Sequence, residues 1–342
     1  MCGEPLKKGS TACSCGYKES LADRELLRRL ARWDRLRTVC SVMLVLGFVV
    51  GGVVWWRSGD IRWGLLALFI LSILYPIYYL LMYSLSTYGG LAANRNPLML
   101  IPAGFTLTGY QKLLRQEYIR TGFLVTIFRS LVGPLLTVLV TALTAYPLSK
   151  RDLPGRKAFT WFIMINMFFT GGLIPTYLVV RDMGLIDSIW SLIIPGLFST
   201  YYILLLRTFF EDLPASLEEA AEMDGASPPA IFFRVILPIT IPSLMTIACW
   251  SFFGHWNSWF DSKLYITSLN KQVVQAHIRR LVLEQSGMLM SGSYISGGKA
   301  DQPTEESMRA AGIMITIIPV LVIYPFVRRY FTKGMVLGAV KG

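Results

Sequence analysis

Seven apolar segments divide this chain, and polar stretches separate them. They cover residues 40–56, 63–86, 121–148, 158–180, 189–210, 235–260 and 310–331. Most of these segments exceed the roughly 18 apolar residues that mark a membrane-spanning helix. The pattern therefore predicts an all-α integral membrane protein.

The charges between the segments indicate how they are oriented. The loop 149–157 is short and basic, and so is the C-terminal stretch 328–342. The positive-inside rule places such stretches in the cytoplasm. The long loop 261–309 is then external and 211–234 is cytoplasmic. Six spans that begin at Trp63 satisfy this arrangement.

The first apolar segment, 40–56, does not fit the six-span arrangement. If it spans, residues 1–37 lie outside, although they contain a predicted Arg-rich amphipathic helix at 24–37. If it forms a hairpin with the next segment, every later loop inverts. A re-entrant or interfacial element and a seventh span of unusual topology both remain open. We divide the chain into a polar extension (1–37), whose helix lies on anionic headgroups, an extra hydrophobic segment (38–62) and a transmembrane domain (63–342).

The composition also indicates a membrane protein. The 342 residues are 54% hydrophobic and 16% charged, whereas ordinary soluble domains carry about 25% charged residues. A net charge of +12 is what Lys and Arg concentrated in cytoplasmic loops produce. The sequence has no basic stripe interleaved with aromatic residues, so it indicates contact with membrane lipid and no nucleic-acid partner.

Three of the five cysteines, Cys2, Cys13 and Cys15, lie near the N-terminus. Cys13 and Cys15, followed by Gly16, resemble the second knuckle of a zinc ribbon. A closed structural zinc site needs four ligands, and this stretch supplies three. Zinc at the N-terminus and free thiols are both open interpretations.

Residues 216–244 read SLEEAAEMDGASPPAIFFRVILPITIPSL, an acidic stretch rich in small residues between two apolar runs. Asp212 can cap a helix at its start, and Pro214 suits the first turn, where a missing N–H costs nothing. Gly225 predicts the end of that helix.

A second short helix is predicted directly after Gly225. Ser227 with Pro228 starts it, and Pro238 ends or kinks it. Alanine and glycine at such an elbow allow a partner surface to approach closely, and the carboxylates supply a charged rim. A docking element and an ordinary re-entrant loop are both consistent with these residues. A DNA-binding helix-turn-helix is disfavoured, because the stretch is acidic and tethered to the bilayer at both ends.

This acidic stretch resembles the coupling motif of binding-protein-dependent ABC importer permeases. The matching residues are Glu219, Ala220, Ala221, Asp224, Gly225, Leu237 and Pro238. Other segments are similar to the carbohydrate-uptake branch, including its lipoprotein/polysaccharide-type and maltose-type permeases; they are 105–114, 141–157, 168–190, 254–260 and 324–342. The resemblance covers residues 63–342.

The resemblance implies a six-span ABC permease core in the bacterial cell membrane, with a coupling helix that sits in a cleft of a cytoplasmic ATPase dimer. It also implies a second homologous permease subunit, an extracytoplasmic sugar-binding protein and an oligosaccharide or complex sugar as substrate. The sequence has no Gly-x4-Gly-Lys-Ser/Thr loop. We therefore expect no cofactor in this chain and expect ATP and Mg²⁺ to bind the partner ATPase.

Two further segments gain an expected role from the maltose-type relatives. There, the matching C-terminal tail enters the interface between the two ATPase subunits, which here concerns Lys333, Gly334, Gly338 and Lys341. This tail is too short and too Gly-rich to form a helix of its own, and a frayed basic tail is the alternative. The Gly/Ser-rich centre of the external loop, 291–298, has the flexibility of a probe that reaches into the binding protein.

Polar side chains within apolar segments are costly, so each is a candidate for the substrate pathway. These candidates are Arg129, Asn166, Thr170, His255, Trp256, Asn257 and Trp259. Asn and His can hydrogen-bond sugar hydroxyls, and Trp can stack on sugar rings. The alternatives are interhelical hydrogen bonds and, for the tryptophans, an interfacial belt.

Two other functional classes remain for comparison. An ion-coupled secondary transporter typically carries mid-span carboxylates and internal repeats, and we find neither in this sequence. An enzyme would need a reactive constellation, but the sequence has two histidines, His255 and His277, and no Ser/His/Asp or paired-carboxylate spacing inside a span. A non-catalytic transport subunit is the prediction.

Overall fold

The structure is a computed structural model that describes residues 61–94, 98–283 and 304–339. The predictions for the N-terminal extension and its cysteines, for the first apolar segment, for the centre of the external loop and for Lys341 concern residues outside these ranges.

Helices form nearly all of the regular structure in the described part of the chain. They are α1 (Ile61–Ser84), α2 (Tyr88–Ala93), α3 (Thr108–Arg115), α4 (Glu117–Ser149), α5 (Arg156–Phe168), α6 (Leu173–Asp182), α7 (Thr200–Glu211), α8 (Ser216–Met223), α9 (Pro228–Ile231), α10 (Leu237–Ile239), α11 (Ile241–Asn257), α12 (Phe260–Tyr265), α13 (Val274–Leu283) and α14 (Glu305–Ala339). Short 3₁₀ turns occur at Ile189–Leu192, Ile194–Gly196 and Leu269–Lys271, and a π-helical turn occurs at Phe232–Ile236. The all-α prediction is confirmed.

Three of the described helices, α1, α4 and α14, are individually long and apolar enough to cross a membrane. Three further apolar segments are bent pairs: α5 with α6 at 115°, the 3₁₀ turns with α7 at 50°, and α9–α10 with α11 at 77°. Counting each bent pair as one span gives six, the number predicted from Trp63 onward. The predicted segments 158–180, 189–210 and 235–260 are therefore broken rather than straight helices.

Glycine and proline account for two of these breaks. Gly172, the residue before α6, has φ +84°, a backbone conformation that residues with a Cβ rarely adopt. Before α11, Pro238 and Pro242 each lack the N–H that an α-helix uses for its hydrogen bonds, and the bend lies between Ile239 and Ile241. The predicted kink at Pro238 thus falls two residues later.

Two compact units make up the chain. The first consists of residues 1–109 and 297–311, and the second of residues 110–296 and 312–342.

The described part of the first unit holds α1 and the start of α14. Side chains at the two ends connect these elements: the Tyr83 hydroxyl donates to Glu306 Oε2 at 2.8 Å, and Ser307 Oγ donates to the carbonyl of Ser86 at 3.1 Å. Most of the apolar side chains of α1 are exposed, as expected of a helix surrounded by lipid.

The second unit is built around α4, which packs against α7, α11 and α13. Its largest apolar core draws residues from α4, α5, α7, α8, α9 and α11; they include Ala145, Ile163, Ile203, Leu206, Ala221, Ile231, Phe232 and Ile247. Small residues on α4, such as Ala142 and Ala145, allow the backbones of its neighbours to approach closely. The short helix α8 and the spans therefore share one core.

Two sequence predictions about helix ends are wrong. Asp212 is the C-cap of α7 and does not begin the next helix, whose N-cap position is Ala215. The C-terminal tail is helical up to Ala339, because α14 continues into it. A helix that is already formed can extend without the cost of nucleation, so a Gly-rich tail joins it more easily than it could fold alone.

Helix α13 lies against the start of α4 through a small apolar cluster of Ile119, Val274 and Ile278. His277 is only 2% exposed here, and its ring centroid lies 5.2 Å from that of Tyr118. Burial, together with the positive charge of Arg280, lowers the pKa of His277 to about 4. The imidazole is therefore neutral in the folded protein at physiological pH.

Acid should loosen this packing. Between pH 6.5 and pH 4 the unfolded chain binds a proton at His277 that the folded chain does not, so stability falls as the pH is lowered through this range. The slope from this one group is at most about 1.4 kcal/mol per pH unit. The check is the thermal unfolding midpoint of the purified protein in detergent between pH 7.5 and pH 4.5, compared with that of His277→Gln. The variant should lose less stability on acidification, and parallel curves for the two proteins would contradict this role.

Candidate functional site

The elbow, defined as residues 212–240 and predicted to be cytoplasmic, consists of α8 and the following turn through α9 and α10. Gly225 ends α8 with φ +77°, which lets the chain reverse before Pro228 starts α9 at its first position. The predicted pair of short helices at an angle is present. Glycine suits this position because residues with a Cβ are strained at positive φ.

One face of the elbow is anchored in the core of the second unit. Ala221 is 9% exposed and Phe232 is 4% exposed, and both belong to the core cluster that includes α4 and α11. The ring of Phe232 lies 4.8 Å from that of Tyr146 on α4, and the ring of Phe210 on α7 lies 5.7 Å from Tyr146 on the other side. Aromatic packing therefore fixes the elbow to two spans.

Ion pairs flank this anchor. Lys150, at the end of α4, pairs with Glu218 of α8 and lies 4.5 Å above the ring of Tyr146. Glu211 pairs with Arg156 of α5 and, at 2.8 Å, with Arg207 of its own helix. Such partly exposed pairs contribute little stability individually. The Lys150–Glu218 pair joins α8 to the end of α4, and the Arg156–Glu211 pair joins α7 to α5.

The opposite face of the elbow is exposed. Glu219, Ala220, Met223 and Asp224 lie on the surface, and Met223 is 88% exposed. A Cβ placed on Gly225 would have no atom within 4 Å, so the elbow presents an open, small-residue surface with an acidic rim. Of the remaining matched residues, Leu237 packs against the core and Pro238 is exposed.

A charge cluster lies at the other end of α4. The Arg129 guanidinium, 3% exposed, pairs with Asp261 and donates from Nη1 to Asp261 Oδ1 at 3.3 Å. Its Nε donates to His255 Nδ1 at 3.1 Å, and Nη1 also approaches the carbonyl of Ser258 at 3.4 Å. Arg129 thus connects α4 with the end of α11 and the start of α12.

The other side chains of this charge cluster are also hydrogen-bonded or closely packed. Asp261 Oδ1 accepts from Ser258 Oγ at 2.8 Å and from the Ser262 N–H at 2.9 Å. The ring of His255 faces Gly133 on α4 so closely that an added Cβ there would lie 2.7 Å from its Cδ2. Polar atoms at this depth are costly unless they are bonded, and these side chains satisfy one another.

Asp187 is a second connecting residue on the side predicted to be external. It accepts from the backbone N–H of Ser268 at 2.9 Å, from Ser268 Oγ at 2.6 Å and from Lys271 Nζ at 2.9 Å. These hydrogen bonds hold the pKa of the Asp187 carboxyl well below its usual range. Asp187 therefore fixes the segment between α12 and α13 while carrying a negative charge.

The structure separates the predicted pathway residues into two groups. Arg129, His255 and Trp256 are engaged within the protein, and Trp256 donates from Nε1 to the carbonyl of Thr316 at 3.3 Å. Asn166, Thr170 and Asn257 are exposed. Trp259 is half-buried, with the Arg279 guanidinium 3.6 Å from its ring centroid.

Sequence reasoning missed Asp261, Asp187 and Arg279. For Asp261 a signal was available, because an arginine in an apolar helix needs an anion within reach. For Arg279 the signal is weaker: it is a cation in a segment predicted to be outside, against the positive-inside tendency.

Within the residues that the structure describes, no group of three or more His, Cys, Asp or Glu side chains is placed to hold a metal ion. Zinc at Cys2, Cys13 and Cys15 stays a prediction, because these cysteines lie outside the described ranges.

Comparison with known proteins gives concordant matches. The family model "Binding-protein-dependent transport system inner membrane component" matches residues 118–337. The polygalacturonan/rhamnogalacturonan transport system permease protein YtcP of Bacillus subtilis is 35% identical, over 82% of this chain and 96% of that protein. The trehalose transport system permease protein SugB of Mycobacterium tuberculosis is 28% identical, over 71% of this chain and 85% of that protein.

A solved structure resembles the chain as well. It is the crystal structure of a bacterial ABC transporter involved in the import of the acidic polysaccharide alginate, with a TM-score of 0.75 and 30% identity. The match covers 81% of this chain and 97% of that one.

Removing one partner of the Arg129–Asp261 pair should destabilise the protein more than removing both. Arg129→Met leaves a carboxylate without its cation, and Asp261→Leu leaves a buried guanidinium unpaired, which typically costs about 3–5 kcal/mol. The double variant Arg129→Met/Asp261→Leu leaves neither charge and should recover much of this loss. Thermal midpoints of the four proteins in detergent provide the measurement. A double variant at least as unstable as the sum of the single variants would show that the pair is not what holds this region together.

Proposed function

This chain belongs to the family of binding-protein-dependent transport system inner membrane components, and on that basis we propose that it forms half of the translocation pathway of an ATP-driven importer of an oligosaccharide or complex sugar. It is a multi-pass permease subunit of the cell membrane. The family consists of transport components, so its work is binding and conformational change rather than catalysis.

The similar proteins support a carbohydrate substrate. One relative is named for polygalacturonan/rhamnogalacturonan transport and another for trehalose transport, and the solved structure belongs to an importer of an acidic polysaccharide. YtcP matches at 35% identity over nearly its full length. An oligosaccharide is therefore a better supported substrate than an ion or a peptide.

The energy for transport would come from another chain. The 342-residue sequence has no Gly-x4-Gly-Lys-Ser/Thr loop to cradle a nucleotide phosphate. We propose that a cytoplasmic ATPase dimer binds ATP and Mg²⁺, that a second homologous permease completes the pathway, and that an extracytoplasmic sugar-binding protein delivers the substrate.

The observation that carries the coupling proposal is the two-sided character of the elbow. Its inner face, through Ala221, Ile231 and Phe232, belongs to the same core as α4, α7 and α11. Its outer face, at Glu219, Ala220 and Gly225, is open. A displacement of the outer face by an ATPase would therefore move packed spans, because close-packed interiors transmit strain.

The C-terminal tail is a second proposed ATPase contact. Lys333, Gly334 and Gly338 lie on α14, which is helical to Ala339, and Lys341 follows beyond the described residues. As a continuous helix, the tail would contact the ATPase as an extension of a span. A movement of the span would then move this contact as well.

The polar residues of the spans divide into two proposed roles. Asn166, Thr170 and Asn257 are exposed and are the better candidates for contact with sugar hydroxyls. Arg129, His255 and Trp256 bond to other parts of the chain, so they would shape the pathway by holding α4, α11 and α14 in position.

A bulky side chain on the open face of the elbow should uncouple ATP hydrolysis from transport. In Gly225→Trp the added Cβ meets no atom of this chain within 4 Å, and the indole beyond it would block a surface that packs against the elbow. We expect sugar-dependent ATP hydrolysis by the reconstituted complex to fall at least about tenfold, which corresponds to about 1.4 kcal/mol of lost coupling.

Two control variants separate docking from folding. Gly225→Asn keeps a residue type that tolerates positive φ and should stay near wild type. Met183→Trp places the same bulk on an exposed residue after α6, on the side predicted to be external. All three variants should insert and purify normally. Unchanged sugar-dependent ATP hydrolysis in Gly225→Trp would rule out docking at this face.

A further inference from the structure

The Arg279 side chain is an exposed cation held in a fixed position. It lies on α13, and its guanidinium carbon is 3.6 Å from the centroid of the Trp259 ring. A guanidinium over an aromatic face is attracted by the ring electrons. Its N–H groups point outward in its own plane, so the stacking leaves them available for a ligand.

The Trp259 ring beneath Arg279 is itself firmly supported. It packs against a buried apolar cluster that includes Val125, Leu192 and Val273. Its chain neighbour Ser258 and the nearby Asp261 are both bound to Arg129. The cation therefore rests on a ring that is anchored to α4, and little side-chain freedom remains to be lost when a ligand binds.

Other cations of this region are already engaged. Lys271 pairs with Asp187 at 2.9 Å, and Arg280 donates to Gln272 at 3.1 Å. Among the residues that the structure describes, Arg279 has the Trp259 ring as its contact and no carboxylate. It is a pre-positioned donor whose anion is missing from the described part of the chain.

Arg279 lies in a segment that carries more cations than acids. Residues 258–283 contain Lys263, Lys271, Arg279 and Arg280 against one acid, Asp261, in a segment predicted to be external. The positive-inside tendency opposes such a surplus outside the membrane. A cation placed there without a carboxylate partner in the described ranges needs an explanation in binding.

We propose that Arg279, presented on Trp259, is a carboxylate-binding subsite at the outer mouth of the pathway, and that it selects acidic oligosaccharides, sugars that carry uronate groups. This inference rests on the proposed function and specifies its substrate class. A planar guanidinium matches a carboxylate with two parallel hydrogen bonds. Because Trp259 carries the arginine on its face, its role in this subsite is to support the cation rather than to stack on a sugar ring.

The same carboxylate chemistry could be offered by an acidic side chain of a docking protein. A stable protein interface normally buries roughly 800 Å² on each partner and involves many residues. Here the neighbouring cations Lys271 and Arg280 are occupied internally, which leaves one carboxylate-sized site. The structure therefore favours a small acidic ligand.

The test compares uptake of a uronic-acid oligosaccharide with uptake of its methyl ester, which has the same length without the charges. Cells producing the complete importer carry wild type, Arg279→Gln, Arg279→Lys or Arg280→Gln. We expect the wild type to prefer the free acid. Arg279→Gln should lower uptake of the free acid about tenfold or more, because a charge-assisted pair of hydrogen bonds is lost. Arg279→Lys should retain part of the uptake.

Arg280→Gln is the matched control, since it removes the same charge from the adjacent position of the same helix. It should leave the preference for the free acid intact. Equal wild-type uptake of acid and ester, or an Arg279→Gln loss shared by both compounds, would overturn the subsite. So would a loss of co-purifying sugar-binding protein in Arg279→Gln, which would assign the residue to protein docking. A wild type that takes up neither compound would overturn the acidic-substrate subsite alone, because the proposed function also allows a neutral oligosaccharide; a complete importer that takes up no oligosaccharide at all would contradict the proposed function itself.

Discussion

The region around Arg129 depends on one requirement: a guanidinium buried in an apolar helix must have an anion. Arg129 meets it through Asp261, and the partners of this pair are distributed over three elements, α4, α11 and α12. Because Asp261 also accepts from Ser258 and Ser262, the turn between α11 and α12 has little freedom. That turn sets the position of Trp259. The Trp259 ring in turn positions the Arg279 guanidinium, which lies over it.

The elbow is held mainly by packing, and the Lys150–Glu218 ion pair lies beside it. Ala221 and Phe232 bury one side of the elbow among residues of the spans, while Gly225 turns the chain and leaves the other side open. The residues of the elbow therefore serve two purposes. The inner residues must suit the core of this chain, and the outer ones are free to suit another surface.

Sequence patterns predicted the helical class, the number of apolar segments and the elbow, since each depends on local features: apolar run length, a Ser-Pro helix start and a glycine at a helix end. They predicted a kink at Pro238, but they did not predict the bend between the 3₁₀ turns and α7, because a bend depends on how neighbouring helices support the freed backbone. Asp212 was assigned to the wrong helix, since an aspartate suits either side of a short connection. The helical tail was missed because the tail was judged apart from the helix that precedes it. Arg279 could not be found, because its significance lies in contacts with Trp259 that are distant in sequence.

The break between α5 and α6 has a consequence for how this chain can exist in a bilayer. At Gly171 and Gly172 the regular helical hydrogen bonds stop, and the flanking Phe168, Phe169 and Thr170 are exposed. Lipid tails cannot hydrogen-bond to the freed amide and carbonyl groups. This surface must therefore meet protein or a water-filled cavity, so an isolated copy surrounded by lipid would leave backbone polarity unsatisfied and would gain stability on assembly.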